Sequence, residues 1–122
     1  MLYDDDHLDF EVKLKRYVHL EVLLEALNRD KEQMGHLKMA EAYQDQIDHI
    51  IDQILNDMAE LRRYFRQSQG EILQTVQLVE DRMVEYVWKG YRLKVKYLNE
   101  FMRVQCGEIL KGYMKLKRGD LT

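Results

Sequence analysis

Residues 40–65 have the sequence AEAYQDQIDHIIDQILNDMAELRRYF, which predicts a long helix. Steps of four and three residues along this stretch reach a row of side chains that are apolar except for Gln44: Ala40, Gln44, Ile47, Ile51, Ile54, Met58, Leu61 and Phe65. This spacing places the row on one side of a helix, at the repeat typical of coiled coils. The opposite face is acidic. Because such a helix is not stable with its apolar row in water, we expect it to pack against other helices.

The residues before this stretch predict a first helix. Its apolar side chains recur at helical spacing and form one face: Phe10, Leu14, Tyr17, Leu20, Leu24 and Leu27. The polar segment 28–33 and Gly35, which can adopt the left-handed conformation that stops a helix, predict its end. Two helices joined by a short polar connection form an antiparallel hairpin.

Residues 71–118 allow two interpretations. Apolar side chains keep to threes and fours from Ile72 to Leu116, which predicts one long helix to about Arg118. Gly90, Gly107 and Gly112 favour instead three shorter helices, roughly 72–88, 92–102 and 105–117, because each glycine costs about 1 kcal/mol inside a helix. Both interpretations make the protein all-α. One strand-like alternation exists, with Leu93, Val95 and Tyr97 between Arg92, Lys94 and Lys96, but it is short and embedded in helical spacing.

Charge divides the chain into two parts. Residues 1–69 contain nine Lys and Arg against fifteen Asp and Glu, a net charge of −6. Residues 70–122 contain ten against seven, a net charge of +3. We interpret residues 1–69 as an acidic helical hairpin for self-association or partner binding. Residues 70–122 are then a basic helical segment that faces an anionic partner.

The three-helix interpretation predicts a helix-turn-helix between Leu98 and Leu116. Leu98 and Met102 would pack the supporting helix, Val104 the turn, and Ile109 and Leu116 the recognition helix. The side chains predicted to contact DNA, either at base edges or at phosphates, are Arg103, Gln105, Glu108, Lys111, Lys115, Lys117 and Arg118. Cys106 would also lie on the outer side of the recognition helix in this arrangement.

The chain resembles a known family at this point. Residues 79–91, VEDRMVEYVWKGY, followed by the pattern from Leu98 to Leu116, are similar to small phage late-gene transcriptional regulators with a sigma-like C-terminal helix-turn-helix. The resemblance covers roughly residues 72–118. It implies a DNA-binding regulator, although Asn99 and Arg103 replace the small residue and the turn glycine of that pattern.

The sequence contains no pattern typical of an enzyme. Phosphate-binding loops, nucleophile elbows and cysteine metal motifs are missing, so we expect no catalytic activity, no cofactor and no metal. Cys106 is the only cysteine, which predicts a reducing compartment and hence the cytoplasm. Outside the helix-turn-helix arrangement, the favoured role of Cys106 is that of a small buried apolar side chain. No run reaches the ~20 apolar residues of a membrane span, and no signal peptide is recognisable.

Two functional hypotheses follow. The first is a small DNA-binding regulatory protein that oligomerises through its N-terminal helices and contacts DNA through a helix-turn-helix. The alternative is a helical-bundle interaction or assembly module that does not bind nucleic acid. In both we expect a homodimer, with an additional protein partner for the acidic hairpin. The residues predicted to mediate oligomerisation lie in the apolar row: Ile47, Ile51, Ile54, Met58 and Leu61.

Overall fold

The computed structural model of the protein describes residues 5–120, and the side chains of residues 5–115. Two helices come first, α1 (Asp5–Gln33) and α2 (Ala40–Gln67). Three strands follow, β1 (Gly70–Gln77), β2 (Asp81–Trp88) and β3 (Tyr91–Leu98), and then helix α3 (Asn99–Asp120). The predicted helical hairpin is present. The all-α class is wrong, since residues 70–98 form a sheet and make the protein α+β.

The three strands form an antiparallel meander with β2 in the centre. The β2–β3 turn is Lys89–Gly90, with φ of 48° and 86°. Positive φ at both central residues of a two-residue turn matches the twist of the strands it joins. Trp88 therefore pairs with Tyr91, and the register runs without a shift to Asp81 and Leu98. The pairing of β1 with β2 shifts by one residue between Ile72 and Gln74, so Leu73 forms a bulge.

The core consists of two clusters, and each contains residues from both halves of the chain. In the first, α1 and the end of α2 pack against the inner face of β2; its buried members are Phe10, Leu14, Val18, Phe65, Val84, Tyr86, Trp88 and Met102. In the second, α1, α2 and α3 pack together through Leu20, Leu23, Leu27, Ile50, Ile54, Met58, Cys106 and Tyr113. The change of charge after residue 69 coincides with the change from helices to strands. Both core clusters nevertheless contain residues from before and after this point.

The helical interpretations of residues 72–98 failed for a physical reason. Val84, Tyr86 and Trp88 alternate along β2 and point to the core, while Met83, just before them, and Val87, between Tyr86 and Trp88, are also apolar. A strand so rich in apolar residues satisfies the helical period and the strand period together, so periodicity cannot distinguish them. The coiled-coil interpretation is also wrong, because Phe65 at the end of the α2 row packs against the sheet in a mixed core.

The helix-turn-helix is wrong as well. Leu98 is the last residue of β3, and Arg103, the predicted turn, lies inside α3, which runs without interruption from Asn99 to Asp120. Neither the one-helix nor the three-helix interpretation of residues 71–118 describes this arrangement. Within the described residues, no helix is both long enough and apolar enough to cross a membrane.

Candidate functional site

A groove of about 370 Å³ runs between the first turns of α1 and strand β3; we call it the α1–β3 groove. Leu8 and Val12 line it from α1 and are 48% and 66% exposed. Leu93, Val95 and Tyr97 line it from β3 and are half-buried. The groove exists because α1 packs mainly over β2, which leaves the inner face of β3 partly open. Its volume and apolar lining are typical of binding sites in proteins.

His7 forms the polar floor of the groove. The ring is 3% exposed and lies 4.8 Å from the Trp88 ring, centroid to centroid. His7 Nδ1 lies 3.3 Å from Oε1 of Glu11, one helical turn further along α1. His7 Nε2 lies 3.3 Å from the hydroxyl oxygen of Tyr86 on β2. The ring therefore lies between a carboxylate on its own helix and a phenol on the central strand of the sheet.

The phenols at the groove stay protonated. Burial raises the pKa of Tyr86 to about 12, and the negative charge of Glu11 adds to the effect. Burial also raises the pKa of Tyr97 well above the usual range, with smaller contributions from Tyr86 and Glu11. The floor therefore presents neutral hydroxyl groups that donate or accept hydrogen bonds, which suits recognition of polar groups on a bound molecule.

Positive charge borders the groove. Lys15 on α1 and Lys94 on β3 line its rim and are exposed. Along β3, Arg92, Lys94 and Lys96 form a row on the outer face of the sheet, opposite the face that carries Leu93 and Val95. Within the described residues only Arg92 of this row forms an ion pair, with Glu85 of β2 at 3.2 Å. Two lysines of the row remain available to an acidic partner.

The backbone of β3 is also available along the groove. In the described part of the chain β3 is an edge strand. Trp88 and Tyr91 close the two-residue turn as a hydrogen-bonded pair, and hydrogen-bonded and non-bonded pairs alternate from there. The N–H and C=O groups of Arg92, Lys94 and Lys96 consequently point away from β2. Such an unpaired row is a template for an additional strand.

The side chains predicted to contact DNA lie on α3, which contributes no residue to the lining of the groove. Arg103, Gln105, Glu108, Lys111 and Lys115 are exposed, and Glu108 pairs with Lys111 at 3.5 Å. The side chains of Lys117 and Arg118 lie outside those that the structure describes. Cys106 does not face outward as the helix-turn-helix required; it is 8% exposed and its thiol donates to the carbonyl oxygen of His19. The alternative prediction for Cys106, a small buried side chain, is confirmed.

The predicted oligomerisation residues belong mostly to the core of the chain itself. Ile54 is fully buried and Met58 is 5% exposed. Ile47, Ile51 and Leu61 are half-buried and pack against the second core cluster. The apolar row of α2 is thus largely covered by α1 and α3, and dimerisation through it remains a prediction.

Sequence reasoning missed the groove. His7, Glu11 and Tyr86 are not among the site residues that the sequence predicted. The i, i+4 spacing of His7 and Glu11 was a signal that the two could meet on one helix face. Tyr86 is 79 residues away from His7 in the chain, and no local pattern could bring them together.

The fold and the groove define a class: a small α+β protein in which a helical hairpin covers one face of a three-stranded meander and leaves an edge strand accessible. The chain belongs to the family described as YhjD protein, whose sequence pattern matches residues 9–118. No curated protein and no solved structure gives a significant match. The family match does not test the resemblance to phage late-gene regulators. That resemblance stays a prediction, although the uninterrupted helix α3 occupies the place of the helix-turn-helix that it implied.

Proposed function

We propose that the protein is a non-enzymatic interaction module that binds an extended peptide segment of a partner protein in the α1–β3 groove, with the cytoplasm as its compartment. The observation that carries the proposal is the combination, at one strand, of an unpaired backbone edge and an open apolar groove. Domains that bind peptides by strand addition use these two features: the main chain provides affinity and pockets for alternate side chains provide specificity.

The charges on β3 define the partner. In an added strand, alternate side chains point to opposite faces of the sheet. One set would contact Leu93, Val95 and the α1 side chains Leu8 and Val12, and should be apolar. The other set would lie beside the exposed row that includes Lys94 and Lys96, and should be acidic. We therefore infer an extended segment that alternates apolar and acidic residues.

A second copy of the chain fits this edge less well. Pairing of two β3 strands across a two-fold axis would bring two rows of Arg92, Lys94 and Lys96 side by side, and like charges directly opposite each other are destabilising. Addition of β1 from another copy is hindered by the bulge at Leu73. Homodimerisation by another surface remains compatible with a peptide in the groove.

The direct test is fluorescence anisotropy with a labelled peptide of four Val-Glu repeats, compared with a Val-Lys peptide of equal length. We expect the acidic peptide to bind, with an affinity that falls as salt rises, and the basic peptide not to bind. Val12→Glu, which places a carboxylate in the groove, should abolish binding. Leu55→Glu, a matched change at an exposed apolar position of α2, should leave binding unchanged.

N-methylated peptides test the binding mode. Successive N–H groups of a strand point to opposite sides, so only every second one can bond to β3. Methylation of all valines or of all glutamates should therefore abolish binding in one series and preserve it in the other. Equal binding of both series would contradict strand addition, and no binding of the unmodified peptide would contradict the proposal as a whole.

A DNA titration addresses the competing hypothesis. The same protein is titrated with labelled duplex DNA at two salt concentrations. Binding that weakens steeply with salt and is reduced by Lys111→Gln and Lys115→Gln, together with failure of the peptide to bind, would favour the DNA-binding regulator instead. Peptide binding without DNA binding supports the interaction module.

A further inference from the structure

A second cavity, of about 530 Å³, lies where the second half of α1 meets α3 and one end of the sheet. We call it the arginine pocket, because three arginines are among its lining residues, Arg29, Arg82 and Arg103. It shares no lining residue with the α1–β3 groove. The function proposed above makes no use of it.

The walls of the arginine pocket are apolar. Residues of α1 and α3 provide them: Val22, Leu23, Leu27, Met102, Cys106 and Leu110. Leu23, Leu27 and Met102 are at most 4% exposed and belong to the two core clusters. The interior is thus built on the rigid part of the molecule, and a cavity of this size accommodates a small organic molecule.

The three arginines of the pocket differ in the partners they have. Arg82 is held in place: its Nη2 lies 3.5 Å from Oε2 of Glu25, and its Nε donates to Oε1 of Gln77 at 3.0 Å. Within the described residues, Arg29 and Arg103 form no ion pair. Asp30 is the other carboxylate that lines the pocket. The charge of Arg82 also acts on the carboxylate of Glu21. Arg29 and Arg103 are therefore the arginines of the mouth whose charge no ion pair among the described residues offsets.

An apolar interior with two arginines at its mouth that have no ion-pair partner in the described part of the chain is complementary to a small molecule with an apolar body and one negatively charged head. Guanidinium groups bind carboxylates through paired, charge-assisted hydrogen bonds, and Arg29 and Arg103 have donors free for this. We infer that the arginine pocket binds an amphipathic organic monoanion, a carboxylic acid with an alkyl or aromatic body. The head would lie between Arg29 and Arg103, and the body along Leu23, Leu27 and Met102.

The reactivity of the Cys106 thiol can be used to measure whether a molecule is bound in the arginine pocket. It lines the pocket, is 8% exposed and is the only cysteine in the chain. Burial raises the pKa of its thiol, so alkylation is slow in the free protein and depends on access through the pocket. A molecule in the pocket covers this thiol.

The experiment measures iodoacetamide alkylation of Cys106 by mass spectrometry, and ligand affinity by calorimetry, on the full chain. The probes are octanoate, 2-naphthoate, octanol and octylamine, all below their aggregation concentrations. We expect the carboxylates to bind and to slow alkylation, and octanol and octylamine to do neither at the same concentration. A preference between octanoate and 2-naphthoate distinguishes an alkyl from an aromatic ligand. Protection by octanol equal to that by octanoate would overturn the inference, because the guanidinium groups would then have no role.

Charge-removing variants test the mouth of the pocket. Arg103→Gln and Arg29→Gln change exposed side chains and should leave the melting temperature nearly unchanged. Each should weaken octanoate binding about tenfold, the equivalent of one charge-assisted hydrogen bond. Arg63→Gln, on an exposed position of α2 outside the pocket, should have no effect. Unchanged octanoate affinity in both pocket variants would contradict the inference.

Discussion

At the scale of single residues, Gly70 shows how closely the helices approach the sheet. It is the first residue of β1 and pairs with Trp88. A Cβ at Gly70 would overlap Cε2 and Cζ of the Phe10 ring. Phe10 is fully buried at the centre of the first cluster, where it contacts Phe65 and Tyr86 at centroid distances of 5.3 and 5.6 Å. The rings of Tyr64 and Trp88 also lie near it, at centroid distances of 6.2 and 6.4 Å, so the Phe10 ring cannot move away without displacing them.

Gly70→Ala should therefore destabilise the protein by about 1–3 kcal/mol, the usual cost of overpacking a core. Gly107→Ala is the matched control. No atom lies within 4 Å of a Cβ at Gly107, which is exposed within α3, so this change should stabilise by up to about 1 kcal/mol through helix propensity. Urea unfolding of both variants measures the difference. Equal effects of the two changes would show that Phe10 does not pack against β1 as described.

At the scale of elements, the sheet is held partly by polar contacts on its outer face. Glu85, in the centre of β2, is only 8% exposed although it lies on the face away from the helices. The guanidinium of Arg92 donates to both its carboxylate oxygens at 3.2 Å. These hydrogen bonds, together with the charge of Lys94, lower the pKa of Glu85 despite its burial. The pair therefore connects the central strand to the edge strand that the proposed peptide would extend.

This pair makes stability depend on pH. Because the pKa of Glu85 is lower in the folded state, its contribution is present above the unfolded pKa, about 4.3, and is lost as pH falls through the folded value. Arg92→Gln should thus destabilise the protein at neutral pH and destabilise it less at about pH 3. Lys96→Gln, in the same row of β3 but without an ion pair, is the control and should show a smaller dependence. A destabilisation by Arg92→Gln that is equal at both pH values would contradict the assignment.

At the scale of the whole molecule, the two halves of the chain are interdependent. Val84, Tyr86 and Trp88 cover Phe10, Leu14 and Val18 of α1, and Cys106 and Tyr113 cover part of α1 and α2. Tyr113 also donates a hydrogen bond to Asp57 of α2 at 2.5 Å. Without residues 70–122 the hairpin would expose both core clusters to water.

A fragment of residues 1–69 should therefore lack a cooperative thermal transition by circular dichroism, although these residues contain both helices of the hairpin. A fragment of residues 70–122 added in equimolar amount should restore a cooperative transition if the two associate as in the intact chain. A fragment 1–69 that melts cooperatively on its own, at the temperature of the intact protein, would show that the hairpin is an independent domain.

The sequence by itself determined the helical hairpin and favoured the burial of Cys106. Both follow from local physics: the spacing of apolar residues along residues 10–27 and 40–65 marks helix faces, a polar segment near Gly35 separates them, and a small apolar thiol favours the interior. The exposure of Arg103, Gln105, Glu108, Lys111 and Lys115 on one helix was predictable for the same reason. Helical periodicity held wherever the helix has one polar face.

Only the tertiary structure decided that residues 70–98 form a sheet. In isolation this segment satisfies two periods, and its conformation depends on whether Val84, Tyr86 and Trp88 find a surface to cover. They find Phe10 and Leu14, more than sixty residues earlier. The same long-range packing creates the α1–β3 groove, sets Tyr86 beside His7 and places Arg82 next to Glu25. Strand pairing is stabilised by such non-local contacts, and a pattern of neighbouring residues does not encode them.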